Sequence, residues 1–384
     1  MARSRPPLLP SITAGAVLVL LAACGDVPSS KTPTAPADAA GAKAPTVSAP
    51  QQTAPQQTVI ATGLLYPRGI AFDNKGVIYV AEAGTIQGNT ISTAGLCTQV
   101  APPIGPRLGG ATSRISRIEG GTRTTVASGI PSTLNAMSAV EGAADLAFVG
   151  KKLYAIIVGG CSRGLADSPG GVYRIEDGSW TLEANISAFV RANPVAAPNA
   201  GDFEPDGDPF SMVAAGGVLY VAEANSGQLL RIKPNPGRVE RLADVSATQG
   251  HVVPTAIAVL RDDILVGELR RFPAVPGNAE VLRYSRNGEL EGSIGGFTSI
   301  LGLETDNKGN IYVLEPFTCA TAAPCFPNPG SGRVTRVAPD GTRTVLATGL
   351  SFATSLRMGP DGALYVSNFG FGPPGMGQIV RITF

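Results

Sequence analysis

Read for the alternation of apolar and polar positions, the chain repeats one pattern six times. The clearest copy is IAFDNKGVIYVAE, from Ile70 to Glu82. It is a short apolar run, a polar turn with a glycine, and a second apolar run closed by a carboxylate. Echoes follow at Leu146–Ile157, Met212–Glu223, Ile257–Glu268, Leu303–Glu315 and Leu356–Asn368. Each predicts strand, tight turn, strand. After each copy comes a third strand with an arginine at a fixed place: Arg117, Arg174, Arg231, Arg283, Arg336 and Arg381. Turn pairs such as Asp177-Gly178, Asn287-Gly288 and Asp340-Gly341 then lead into a fourth strand. These pairs supply the positive φ that tight hairpins need. The unit is therefore a four-stranded antiparallel meander, with strands A to D. One such unit cannot bury both of its faces, so the copies must pack on one another.

The sixth unit runs out at Phe384, after its third strand. Its fourth strand is found at the other end, because TVIATGL (Thr58–Leu64) is nearly the text of TVLATGL (Thr344–Leu350). The expected fold is all-β: a six-bladed β-propeller of four-stranded antiparallel blades, closed into a ring by the N-terminal strand completing the last blade. Closure removes the free sheet edges that an open array would expose. Small residues on the innermost strands (Gly69, Ala71, Ala147, Ala256, Ala258, Gly302) fit blades converging on an axis, where larger side chains would overpack.

Three segments differ in composition. Residues 1–23 carry Arg3 and Arg5 before an apolar run that ends in Leu21-Ala22-Ala23-Cys24. This reads as a lipoprotein signal peptide, with Cys24 as the lipidated residue. Residues 24–57 hold that cysteine and a tether rich in Pro, Ala, Thr and Gln, which has too little apolar surface to repay its ordering entropy. Residues 58–384 are the propeller. The expected address is exported and lipid-anchored to a membrane. Gly25 after Cys24 favours the outer membrane facing the periplasm, or the cell surface. A net charge of +1 gives no electrostatic footprint for nucleic acid, and a monomer is expected.

In a meander the A–B and C–D turns share one face, and the B–C and D–A connections share the other. Here the first set is short and the second holds the long insertions, notably Gly84–Ser113 and Ser187–Asp208. Long surface insertions usually serve function, so the B–C/D–A face is the expected binding face. All four cysteines beyond Cys24 fall on it: Cys97, Cys161, Cys319 and Cys325. An even number in an exported chain suggests two disulfides with three pairings open. Cys97–Cys161 with Cys319–Cys325 is the economical one.

Strand B ends on the same face, with Glu82, Ile157, Glu223, Glu268, Glu315 and Asn368. Four carboxylates and an amide in a ring suit a hard cation such as Ca2+; equally, each can accept backbone N–H groups where its blade meets a loop. A second acidic cluster, Asp202, Glu204, Asp206 and Asp208, resembles the start of a calcium loop but lacks its closing glutamate. Ligand contacts are expected around the channel mouth, from Arg68, Glu82, Asp145, Glu223, His251, Glu268, Arg270 and Glu315. Mixed charge there suits a small polar ligand or a protein partner. No catalytic residue is assigned. His251 is the sole histidine, and no nucleophile elbow or phosphate-cradling loop is present.

The stretches Tyr66–Phe72, Tyr79–Gly84, Gly142–Phe148, Val266–Pro273, Asp361–Gly372 and Gly377–Ile382 resemble the ScyD/ScyE family of bacterial exported propellers. The resemblance spans Thr58 to Phe384. It implies a secreted six-bladed propeller related to NHL-type repeats and brings no catalytic residues with it. The leading expectation is a lipid-anchored binding or scaffold propeller. The alternative is a calcium-dependent lactonase or esterase-like hydrolase working in the channel. Enzymes of that kind place Glu, Asn and Asp where the inner strands enter the channel; here those positions are Arg68, Ala144, Phe210, Thr255, Leu301 and Thr354.

Overall fold

The computed structural model describes residues 54–384. The expected signal, Cys24 and most of the tether lie outside the described residues. Six antiparallel sheets stand around an axis, each with strands A to D from inside to outside. Blade 1 has strands Pro67–Phe72, Ile78–Glu82, Leu108–Glu119 and Thr122–Leu134, with Val140–Glu141 added as a fifth. Blade 2 has Ala143–Val149, Lys152–Ile157, Gly171–Glu176 and Ser179–Asn185. Blade 3 has Pro209–Ala215, Val218–Glu223, Gln228–Lys233 and Arg238–Asp244. Blade 4 has Pro254–Leu260, Asp263–Glu268, Ala279–Tyr284 and Leu290–Phe297. Blade 5 has Gly302–Thr305, Ile311–Glu315, Gly332–Val337 and Arg343–Leu350.

Blade 6 takes Ser355–Met358, Leu364–Asn368 and Gly377–Thr383 from the C-terminal end and Gln56–Leu64 from the N-terminal end. The closing strand pairs antiparallel with the last one, from Gln56↔Thr383 to Leu64↔Gly377. It begins two residues earlier than the hydrophobic pattern suggests, because Thr383 and Ile382 offer partners to Gln56 and Gln57.

The inner strands approach closely, and two glycines are required there. A Cβ on Gly69 would meet the Asp145 backbone Cα at 2.4 Å, and one on Gly302 would meet the Leu356 backbone N at 2.9 Å. Between blades the core is a series of apolar seams. One joins Ala81 and Ile115 of blade 1 to Leu146 and Ile157 of blade 2, all buried. The repeated arginines have a structural place: each stands opposite the second residue of the strand B core, as in Tyr79↔Arg117, Tyr312↔Arg336 and Tyr365↔Arg381. Arg381 donates to the Tyr365 hydroxyl and to Asp361.

Two features escape the alternation pattern. Strand C of blade 1 starts at Leu108 rather than near Arg114, and its hairpin with strand D rises past the blade onto the loop-rich face, through Leu108↔Leu134 and Gly110↔Ser132. The text LGGATS has no apolar alternation, so pairing there rests on backbone groups and on hydroxyls, with Ser132 Oγ accepting from Thr112 N at 2.9 Å and lying 2.8 Å from Thr112 Oγ1. Two D–A connections also hold short helices, α1 (Ile186–Ala192) and α2 (Val245–Gln249). Each starts at a side-chain cap, Asn185 accepting from Ala188 N and Asp244 from Ala247 N. Helices of one or two turns are too short to show a 3.6-residue period.

Candidate functional site

The ring at the ends of strands B works as a set of latches. Glu82, Glu223, Glu268 and Glu315 are completely buried. In three blades the carboxylate accepts the backbone N–H of its own D–A connection: Leu65 N to Glu82 (2.5 Å), Asp208 N to Glu223 (2.7 Å) and Thr298 N to Glu315 (2.9 Å). Asn368 does the same for Ser351 N. Strand C supplies a second partner, Arg114 to Glu82 and Arg333 to Glu315. Glu82, Glu223 and Glu315 therefore tie loops to blades, the second of the two roles the sequence left open for them. Glu268 departs from the set. It accepts from Arg270 Nε and Glu280 N, while its Oε1 is buried without a partner. Burial lifts its carboxyl to about 7, against the pull of Arg270.

The axis is closed by one side chain. Arg357, on strand A of blade 6, donates to the Ile70 carbonyl in blade 1 (2.9 Å) and to Glu304 in blade 5 (3.2 Å). Its other nitrogen reaches both Asp145 oxygens in blade 2 (3.2 and 3.3 Å) and the Met212 carbonyl in blade 3. One guanidinium thus links five of the six blades. Burial raises the Asp145 and Glu304 carboxyls, and Arg357 opposes that rise.

Above this plug, the mouth holds a second ion network that the sequence reading missed. Arg107 bridges Glu141 (2.7 Å) and Glu204 (2.8 Å). Arg163, fully buried, pairs with Glu141, Glu204 and Asp208. Arg68 donates to the Val140 carbonyl at 2.9 Å. Burial lowers its pKa, while Glu141 and Asp208 favour the charge. Burial also disfavours the Glu141 anion, yet Arg107 and Arg163 hold its carboxyl down at about 2. Asp208 goes the other way. Burial, with Glu141 and Glu204 adding repulsion, raises it to about 7 despite Arg163. Asp208, Arg68, Glu141 and Thr354 line a cavity of about 20 Å³, room for roughly one water.

The acidic loop is consumed by these contacts. Glu204 is taken by Arg107 and Arg163, and Asp208 by Arg163. Asp206 accepts from Ser162 N and Oγ and pairs with Arg191. Asp202 lies 2.8 Å from His251 Nε2. Arg270 is engaged by Glu268. The four acids thus do not converge on one point: Glu204 and Asp208 share Arg163, while Asp206 and Asp202 go to Arg191 and His251. Among the described residues no three of His, Cys, Asp and Glu converge as a metal cluster. A divalent cation does not fit the mouth, because the carboxylates nearest the axis are already neutralised by guanidinium groups that would repel it.

The rim above is built of rigid loops. The disulfides are Cys97–Cys161, joining the B–C loops of blades 1 and 2, and Cys319–Cys325 within the blade 5 loop. Ala274 of the blade 4 loop bridges Cys325 through two backbone hydrogen bonds of 2.8 and 2.9 Å. Phe272 and Phe326 stack beside that bridge, with ring centres 6.4 Å apart, and the buried Phe317 packs against Phe272 at 5.9 Å. Phe272 is 46% and Phe326 65% exposed, with Val275 beside them at 45%.

No protein-family model matches the chain, and no curated protein is significantly similar to it. Solved structures are similar in fold. One, assigned as an oxidoreductase (glucose dehydrogenase) from Thermus thermophilus, is 16% identical with a TM-score of 0.50, over 86% of this chain and 100% of that one. A luciferin-regenerating enzyme is 10% identical with a TM-score of 0.51, over 86% of this chain and 95% of that one. A gluconolactonase from Xanthomonas campestris is 10% identical with a TM-score of 0.49, over 86% and 90%. At these identities the likeness is one of fold: the chain is a six-bladed β-propeller.

Proposed function

We propose that this protein is a binding propeller that holds a protein or peptide partner on its loop-rich face. The observation that carries the reading is the Phe272–Phe326 stack, left in water on loops fixed by a disulfide and a backbone bridge. Aromatic groups on a rigid support supply contact area at low entropic cost. Further exposed apolar side chains of the same face, Ile91, Leu96, Met137, Phe203 and Met376, extend the surface. The ion network and the Arg357 plug fill the channel below, so contacts belong to the rim. Anchoring through Cys24 would present this rim outside the cytoplasmic membrane. The test is quantitative affinity capture from membrane extracts of the source organism. A partner should be lost with Phe272→Ser plus Phe326→Ser and kept with Leu182→Ser plus Val345→Ser on the outer strands. Equal capture by both variants refutes the reading.

Hydrolysis of a lactone or ester is the second reading. One feature favours it: Asp208 titrates near neutral pH and faces the small cavity beside Arg68 and Thr354. Such a carboxylate can take a proton from water at physiological pH. Activity would rise as pH climbs through about 7, because the base must be ionised. Turnover of a lactone and aryl-ester panel, compared with Asp208→Asn, decides this. An inactive wild type, or an equally active variant, removes it.

A further inference from the structure

Five blades place a tyrosine at the same point of strand B, opposite the strand C arginine: Tyr79, Tyr154, Tyr220, Tyr312 and Tyr365. Each leans toward the following blade. Tyr79 meets Phe148 (5.2 Å between ring centres), Tyr312 meets Phe384 (5.4 Å) and Tyr365 meets Phe72 (4.9 Å). Tyr220 lies under the Arg286 guanidinium, and Tyr154 packs in one cluster with Met212 and Leu219. Blade 4 breaks the rule with Leu265, opposite Arg283. Blade 5 then offers Thr305 where blades 1 and 2 offer Phe72 and Phe148, each being the strand A residue opposite the start of the strand B core.

The cleft between blades 4 and 5 lacks both rings, and it holds about 540 Å³. The matching cleft between blades 1 and 2, where Tyr79 and Phe148 meet, holds about 210 Å³. The larger volume falls among those of small-molecule sites, on the order of 300–1,000 Å³. The cleft opens on the short-turn face, away from the loop-rich rim. Its floor is apolar: Leu265, Val281, Ile311 and Val337. Its charged lining is cationic only, with Arg261, Arg283 and Arg343 and no acid. Arg283 is held by Asp263 and Glu291, and Arg343 by the carbonyls of Gly295 and Gly296 and the face of Phe297. The exposed Arg261 guanidinium has no hydrogen-bond or ion-pair partner among the described residues.

We propose that this cleft binds a small amphiphilic monoanion, a carboxylate with an aliphatic tail, the tail on the Leu265 floor and the head at Arg261. An apolar floor under an unpaired guanidinium rejects neutral polar molecules for want of tail burial and rejects cations by charge.

The test is calorimetry of the full chain with sodium decanoate below its micellar range, and with 1-decanol as the uncharged counterpart. Saturable one-to-one binding of decanoate, and weaker binding of decanol, is expected. Leu265→Tyr installs the residue that five other blades carry and should abolish binding with the melting temperature kept. Arg261→Ser, at an exposed site, should weaken decanoate by roughly tenfold or more and leave decanol unchanged. Phe272→Ser plus Phe326→Ser should have no effect. Absence of saturable binding, unchanged affinity in folded Leu265→Tyr, or loss of decanoate binding in the Phe272/Phe326 variant overturns the proposal. Should Leu265→Tyr not fold, unchanged affinity in Arg261→Ser alone overturns it.

Discussion

Replacing Arg357 by methionine should show how much the axial plug contributes to the ring. Methionine keeps the unbranched stem and removes the guanidinium. Asp145 and Glu304 would then stand buried, with side chains 4% and 14% exposed and no counter-charge. Asp145 would keep its bonds from Met212 N and Leu146 N, both 2.8 Å. Breaking a buried pair by removing one partner costs about 3–5 kcal/mol. Unfolding entropy of about 2.1 cal/mol/K per residue, over a chain of this size, converts that to a fall in Tm of about 4–7 °C. The loss should depend on pH. Both carboxyls are already raised in the native state by burial, and removing Arg357 raises them further. A carboxyl with a raised native pKa costs nothing below its unfolded value, where both states hold the proton. Its cost grows as pH climbs from there through the native pKa. The difference between variant and wild type should therefore be small at pH 4 and full at pH 8. Urea unfolding at the two pH values measures it. A difference under 1 kcal/mol at pH 8, or one equal at both pH values, would refute the reasoning.

Other expectations concern closure, loops and address. A chain starting at Ala54 should melt like the full protein. One starting at Tyr66 lacks the strand Gln56–Leu64, exposes the edge of Gly377–Thr383 and should aggregate on concentration, as light scattering would show. Cys97→Ser opens a crosslink with a sequence separation of 64 and should cost more than Cys319→Ser, whose separation is 6. In the chain-entropy account the two limits are about 4.3 and about 2.2 kcal/mol, and chemical denaturation would rank them. Cys24→Ser should move the protein from membrane pellets to the soluble fraction, and unchanged fractionation would remove the lipid anchor.

The repeat, the blade count, the ring closure and the loop-rich face were legible in the sequence, because each rests on a local signal. A period of two marks a strand, a glycine pair marks its hairpin, and a duplicated TGL ending marks which strand closes the ring. The positions of Glu82, Glu223, Glu268 and Glu315 were legible too, but not their role. A carboxylate at a strand end can face a cation or a backbone N–H, and only the course of the D–A connection decides between them. The mouth network was out of reach, since Arg107, Glu141, Arg163 and Glu204 share no period and are spread over about a hundred residues of chain. Their meeting depends on the long blade 1 hairpin, whose glycine-rich text carries no alternation. The blade 4–5 cleft lies between these extremes. The sequence contains the exception, Leu265 in a column of tyrosines, but its consequence exists only where two blades face each other. Strand order is written locally; what fills a seam between blades is decided by residues that meet only once the ring is closed.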